Sequence, residues 1–369
     1  MAKLLKVIGL MSGTSLDGVD AAFLETDGDG VAIPGPALTL AYNAELRALL
    51  RRALDDAPKD SEGAPIPESI LTAERVLTEV HAQAVKQLLE RLGSAPAKID
   101  YLGFHGQTIL HRPDRRRTWQ IGDGAALARA TGIAVVNDFR SADVASGGQG
   151  APLAPLYHAA LVKRLGSSEA ITVLNVGGVA NATFVGTDGA LLAFDVGPGN
   201  AALDDWMMKH TGEPMDRGGA LARMGQVDQA ALAAMLDHSY FAKVPPKSLD
   251  RMDFGFESVA HLTPADGAAT LTAFTAACAT RALEHLPGAP ARWIVCGGGR
   301  HNLALMAALE IFLEAPILAA EDVGWRGDFL EAEAFAYLAA RSVKGLPLSL
   351  PTTTGVPRPT TGGRLHTVN

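Results

Sequence analysis

The pattern of apolar and polar positions predicts strands alternating with helices along most of the chain. Residues 4–10 form a nearly continuous apolar run, as a buried strand does, and residues 19–26 form a second strand across a turn of small polar residues. Apolar residues at helical spacing predict helices over 44–56 and 68–92; Ile70, Leu71, Val76, Leu77, Val80, Val85, Leu88 and Leu89 carry the pattern in the longer one. Residues 57–67 read as a loop. A strand at 99–105, a helix at 123–131 and a short strand at 133–136 follow. After a loop zone at 141–155 and a helix at 156–165, three strands are predicted at 170–176, 181–185 and 191–196. Helices are expected at 198–211, 227–238 and 263–286; the last opens with a Thr263 cap and Pro264 in the first turn. A strand at 293–296 and helices at 301–312 and 329–341 complete the pattern. Residues 346–369, rich in Pro, Thr and Gly, read as extended.

One unit occurs twice. Strand, glycine turn, strand opens the chain at 4–26 and recurs at 170–186, and alternating strands and helices follow both times. This predicts an α/β protein of two duplicated domains with a cleft between them. The expected division is 1–140, completed by the 329–342 helix and the tail, and 141–328.

A length of 369 residues suits two domains. With 32 Lys and Arg against 40 Asp and Glu, the net charge of −8 argues against a general nucleic-acid or membrane-surface binder. The basic triplet Arg115–Arg117 reads as a solvated loop. Cys278 and Cys296 cannot make a disulfide framework or a cysteine zinc site and read as small core residues. No apolar run is long enough to span a membrane, and the N-terminus lacks a signal-peptide pattern, so a cytoplasmic protein is expected.

The 39 glycines concentrate in motifs. Gly9-Leu-Met-Ser-Gly-Thr-Ser-Leu-Asp-Gly-Val-Asp20 lies between two predicted strands. It offers backbone N–H groups for an anion, hydroxyls, and acids able to hold Mg²⁺. It is not a P-loop, because no Gly-Lys-Ser/Thr follows. Asn175-Val-Gly-Gly-Val-Ala-Asn181 reads as a second phosphate turn. Phe194-Asp-Val-Gly-Pro-Gly-Asn200 sets Asp195 at a strand end above a helix start, as a ligand-facing acid or a helix cap. Val295-Cys-Gly-Gly-Gly-Arg-His-Asn302 allows a flat group to approach the backbone closely. Phe104-His-Gly-Gln-Thr108 and Asn137-Asp-Phe-Arg-Ser-Ala-Asp143 supply a His, an amide and an Arg able to grip a carboxylate. Metalloprotease, serine-hydrolase and dinucleotide signatures are absent.

Together these features resemble the sugar kinase/Hsp70/actin ATPase superfamily, whose domains are actin/Hsp70-like (ribonuclease H-like). The individual strings are closer still to the anhydro-N-acetylmuramic acid kinase family. They are GLMSGTSLDGVD, FHGQT, IGDG, NDFRSADVASGGQGAPL, NVGGVAN, FDVGPGN and VCGGGRHN, and the resemblance runs in family order from residue 9 to about residue 340. The resemblance implies an ATP- and Mg²⁺-dependent enzyme. Such an enzyme opens 1,6-anhydro-N-acetylmuramic acid with water and phosphorylates O6, giving N-acetylmuramic acid 6-phosphate and ADP in peptidoglycan recycling. It also implies a homodimer.

Carried onto this chain, the resemblance assigns the ATP phosphates and Mg²⁺ to Gly9, Ser12, Gly13, Thr14, Ser15, Asp17, Gly18 and Asp20, with Asp17 on the metal, and to Asn175, Gly177, Gly178 and Gly197. Gly297, Gly298, Gly299 and Asn302 take the nucleoside. Asp195 matches the catalytic base and Glu331 a second acid. Expected sugar contacts are His105, Gln107, Asp123, Arg140, Asp143 and Asn181. Two other readings use the same motifs: a plain sugar or acetate kinase, and an Hsp70-like ATP-driven clamp. The clamp is disfavoured because no peptide-binding region is expected after residue 345.

Overall fold

A computed structural model describes residues 3–13, 15–58, 65–249 and 253–368. The chain divides into two units, Met1–Arg164 with Phe329–Asn369, and Leu165–Asp328. Residues 141–164 therefore fall in the first unit.

In the first unit, β1 (Leu5–Met11), β2 (Gly18–Thr26) and β3 (Ala32–Ala41) lead into α1 (Ala44–Asp56) and α2 (Glu68–Leu92). Then come β4 (Tyr101–Phe104), a separate hairpin of β5 (Gln107–Arg112) and β6 (Arg117–Ile121), α3 (Gly124–Thr131) and β7 (Val135–Asn137). Two helices follow, α4 (Ser141–Ala145) and α5 (Pro155–Arg164). The second unit holds β8 (Ile171–Val176), β9 (Val179–Val185), β10 (Leu191–Pro198), α6 (Ala201–Thr211), α7 (Gln229–Leu236) and α8 (Pro264–Ala282). It ends with β11 (Arg292–Cys296), α9 (Leu303–Leu313) and β12 (Ile317–Ala319). The chain closes in the first unit with α10 (Leu330–Val343), α11 (Pro351–Thr354) and β13 (Arg364–His366).

The two sheets repeat one plan. The first runs β13-β7-β4-β1-β2-β3 and the second β10-β9-β8-β11-β12. In each, the first three strands form an antiparallel meander, and two later strands add parallel to the other side of the first. This is the duplicated ribonuclease H-like order expected from the repeated strand–turn–strand unit. The first sheet has a sixth strand because β13 pairs antiparallel with β7.

Local chemistry sets the boundaries. Asn43, Asp123, Asp228 and Thr263 cap their helices by accepting from the N–H three residues on. Gly93, left-handed at φ 57°, ends α2. β3 was not anticipated because Pro34, Gly35 and Pro36 speak against a strand. It forms at the sheet edge, where a missing N–H costs no ladder bond. The segment after His105 is the β5–β6 hairpin rather than a plain turn, with Arg115 and Arg116 exposed at its tip. The tail is extended only in part, since it includes α11.

Candidate active site

Three of the four glycine motifs converge within the second unit. The Gly177–Gly178 turn joining β8 to β9 is laced to the segment after β10. The Gly199 N–H donates to Gly178 O (2.9 Å), Asn200 N–H to Gly177 O (2.8 Å) and Ala201 N–H to Gly178 O (3.2 Å). The 297–299 turn lies against the same place, for a Cβ on Gly297 or Gly299 would strike Asn175 or Val176. Arg300 holds that turn from below. Its side chain, 2% exposed, donates to Gly297 O (2.8 Å), to Glu321 and to Asp328.

Strand register adds a polar row. Cys296 pairs with Asn175, Asn175 with Asn181, and Asn181 with Asp195. Residues directly opposite share a sheet face, so the two Asn and the Asp stand side by side. The register breaks between Asp195 and Gly197, leaving a bulge at Val196; bulges re-aim side chains beside binding sites. Asp195 is 7% exposed, and its Oδ2 accepts from Leu249 N–H at 2.8 Å.

In the first unit, the turn from Ser12 to Asp17 is tightly braced. Ser12, buried, donates to Gln107 Oε1 (2.6 Å) and accepts from Tyr42 OH (2.8 Å). Ser15 donates to the exposed Asp17 carboxylate (2.8 Å), and Leu16 takes a left-handed φ of 55°. Asp20 lies on β2 and accepts from Thr39. Thr14 lies outside the described residues.

The glycines of these motifs fall into two classes. A Cβ on Gly9 would strike Ala332 and Ala336 of α10, one on Gly18 would strike Leu40, and one on Gly197 would strike Cys278. At these positions, as at Gly297 and Gly299, packing alone already excludes a side chain; the assignment of their backbones to the nucleotide stands as a proposal. At Gly13, Gly177, Gly178 and Gly298 a Cβ would meet nothing closer than 3.6 Å. The protein's own packing does not demand glycine there, which leaves those backbones open to a ligand. Gly178→Ala is therefore expected to keep the melting temperature while raising KM for ATP by about tenfold, or roughly 1.4 kcal/mol. Parallel melting curves and ATP titrations check both halves.

The sugar-side candidates separate too. His105, 4% exposed, donates from Nδ1 to Gly106 O (2.8 Å) and accepts at Nε2 from Arg140 Nε (3.1 Å). Burial first, then the Arg140 charge, pushes its pKa well below the ordinary histidine value. His105 is thus neutral, with both nitrogens engaged, and braces Arg140, which also donates to Gly150 O (2.6 Å). Asp143 is 2% exposed; its two oxygens accept from Gly150 N–H and the Thr354 hydroxyl, so it orders the 147–150 loop. Gln107 is likewise buried against Ser12. Asn302 caps α9, its side-chain oxygen accepting from Ala304 and Leu305 N–H.

His105 and Asp123 line a polar cavity of about 330 Å³ with Glu74, Gln120, Asn137, Asp138, Arg364 and His366. A larger cavity of about 510 Å³ is mostly apolar and holds no motif residue. Glu331 is exposed in the first turn of α10, whereas Glu333, unremarked in the sequence, is buried and accepts from Tyr157 OH (2.5 Å). Tyr42, Tyr240, Leu249 and Arg300 also escaped sequence reading; each acts through a contact far along the chain.

The profile described as anhydro-N-acetylmuramic acid kinase matches residues 5–367. A protein so named from Rhodospirillum rubrum is 55% identical over 96% of this chain and 92% of its own length. One from Rhizorhabdus wittichii is 54% identical over 99% of this chain and 100% of its own. A third, from Acidiphilium cryptum, is 55% identical over 97% of each. With the motifs in family order and the match spanning nearly every residue, the chain belongs to the anhydro-N-acetylmuramic acid kinase family.

Proposed function

We propose that this enzyme uses ATP and water to convert 1,6-anhydro-N-acetylmuramic acid into N-acetylmuramic acid 6-phosphate and ADP. In the reaction the C1–O6 bond breaks, water adds to C1, and O6 takes the γ-phosphoryl group. The observation that carries this reading is the family match over residues 5–367, with the acid of its FDVGPGN string held as a buried carboxylate at a bulge.

Asp195 is the proposed general base. It takes the proton of the attacking water, as the basic carboxylate of an inverting glycosidase does. No separate acid is needed for O6 if phosphoryl transfer captures it. Glu331 is the proposed second acid. The open backbones of Gly13, Gly177 and Gly178 are proposed to take the phosphates and Gly298 the nucleoside. A bound Mg²⁺ would neutralise phosphate charge; it commonly uses one or two carboxylates and keeps part of its water shell, which suits the exposed Asp17. Arg140, braced by His105, suits the lactyl carboxylate. Asp123 and Asn181 are proposed sugar contacts, and the polar cavity beside Asp123 supports placing part of the sugar there. The family resemblance also supports a homodimer acting in the cytoplasm in peptidoglycan recycling.

Incubation with ATP and a panel of sugars tests the reading. One phosphorylated product from the anhydro sugar, with stoichiometric ADP, is expected. Phosphorylation of ordinary hexoses without action on the anhydro sugar would assign a plain sugar kinase instead.

A further inference from the structure

Asp195 lies on β10, the edge strand of its sheet. Outward-facing backbone groups of an edge strand have no ladder partner and must find one elsewhere. At Asp195 the segment 240–249 supplies three such partners. Asp195 N–H donates to Lys247 O (3.0 Å), and Asp195 O accepts from Tyr240 OH (2.5 Å). The carboxylate Oδ2 accepts from Leu249 N–H (2.8 Å). The main chain and side chain of one residue are thus splinted together, where the ladder is already broken by the bulge.

The splint is itself pinned. The Lys247 ammonium donates to Tyr240 O and Phe241 O, each at 3.3 Å, and sits 4.6 Å from the centre of the Tyr240 ring. Tyr240 is 2% and Lys247 7% exposed. Burial pushes the Lys247 amine down to about 8, so holding a lysine here is costly; besides the splint it meets His285 Nε2 at 3.4 Å and the Phe194 ring, on the residue before Asp195. An ordinary loop covering an edge strand needs neither a buried ammonium nor a tyrosine hydroxyl aimed at one carbonyl.

We infer that Tyr240 and Lys247 are positioning residues that hold the Asp195 carboxylate in line for the attacking water. The inference rests on Asp195 being the general base. A supporting residue acts on the reaction only through the group it orients, so its removal lowers kcat and leaves substrate binding alone.

The test is a double-mutant cycle in the full chain. Tyr240→Phe removes only the hydroxyl. It is expected to lower kcat by about 10- to 100-fold, the usual reach of a supporting partner or a small misplacement, with KM for ATP and sugar unchanged. In an Asp195→Asn background the same substitution is expected to cost nothing further. Equal losses in both backgrounds would mean a general structural role and overturn the inference, as would wild-type kcat in a folded Tyr240→Phe enzyme. Should Tyr240→Phe fail to fold, Lys247→Met enters the same cycle with the same expectations. If Asp195→Asn alone keeps near-wild-type turnover, the base assignment itself fails. That outcome is distinct from a damaging Asp195→Asn beside a silent Tyr240→Phe, which removes only the positioning role.

Discussion

Asp195→Asn is expected to lower kcat by about 10²- to 10⁴-fold, the usual contribution of a general base. ATP affinity and melting temperature should stay close to wild type. The substitution preserves volume, and the amide oxygen can still accept from Leu249 N–H, so the local fold survives. The backbone bonds to Lys247 O and Tyr240 OH do not depend on the side chain. What is lost is the ability to take a proton from water. Steady-state kinetics beside calorimetric ATP titration separates these effects. Near-wild-type turnover would move the base elsewhere.

The second large effect concerns the fold. Gly9→Ala should destabilise the first unit by about 3 kcal/mol or more, the upper range of overpacking, with loss of soluble protein. Gly9 pairs with Gly103 across β1 and β4, and together they form a flat saddle for α10. A Cβ on Gly9 would run into Ala332 O and lie 2.6 Å from Ala336 N, while one on Gly103 would meet Phe335. These obstacles are helix backbone, which cannot swing aside as a side chain can. Displacing α10 also moves Phe335, whose ring lies 4.5 Å from His105 and 5.3 Å from Phe139, so the Arg140 brace shifts with it. Thermal melts of Gly9→Ala against Gly13→Ala make the comparison. In Gly13→Ala the nearest atom is 3.6 Å away, and no loss of stability is expected.

The contrast between these glycines marks what the sequence can convey. Repetition of strand, glycine turn and strand pointed to a duplicated α/β fold, because local spacing encodes it. The 68–92 helix was legible to the residue from its apolar spacing, and Gly93 ends it in the structure. β3 was hidden by prolines that only an edge strand tolerates, and β13 by its place in a Pro- and Thr-rich tail. The motifs marked where glycine matters but not why. Gly9 and Gly13 look alike in the string, yet one is closed by a helix and the other open. Asp143 and Asn302 read as ligand contacts because they are polar and lie within motifs. In the structure Asp143 also orders a loop, partly through Thr354 far along the chain, and Asn302 also caps α9 through a local bond. Tyr240 carried no signal, since its meaning lies in one bond to a residue 45 positions earlier.

The most direct measurement is the fate of solvent oxygen. The enzyme is incubated with ATP and 1,6-anhydro-N-acetylmuramic acid in ¹⁸O-labelled water, and the product is examined before C1 exchanges with solvent. Water attack at C1 predicts label on the anomeric oxygen and none in the phosphoryl group. Label in phosphate, or a phosphorylated product that retains the anhydro ring, would contradict the account.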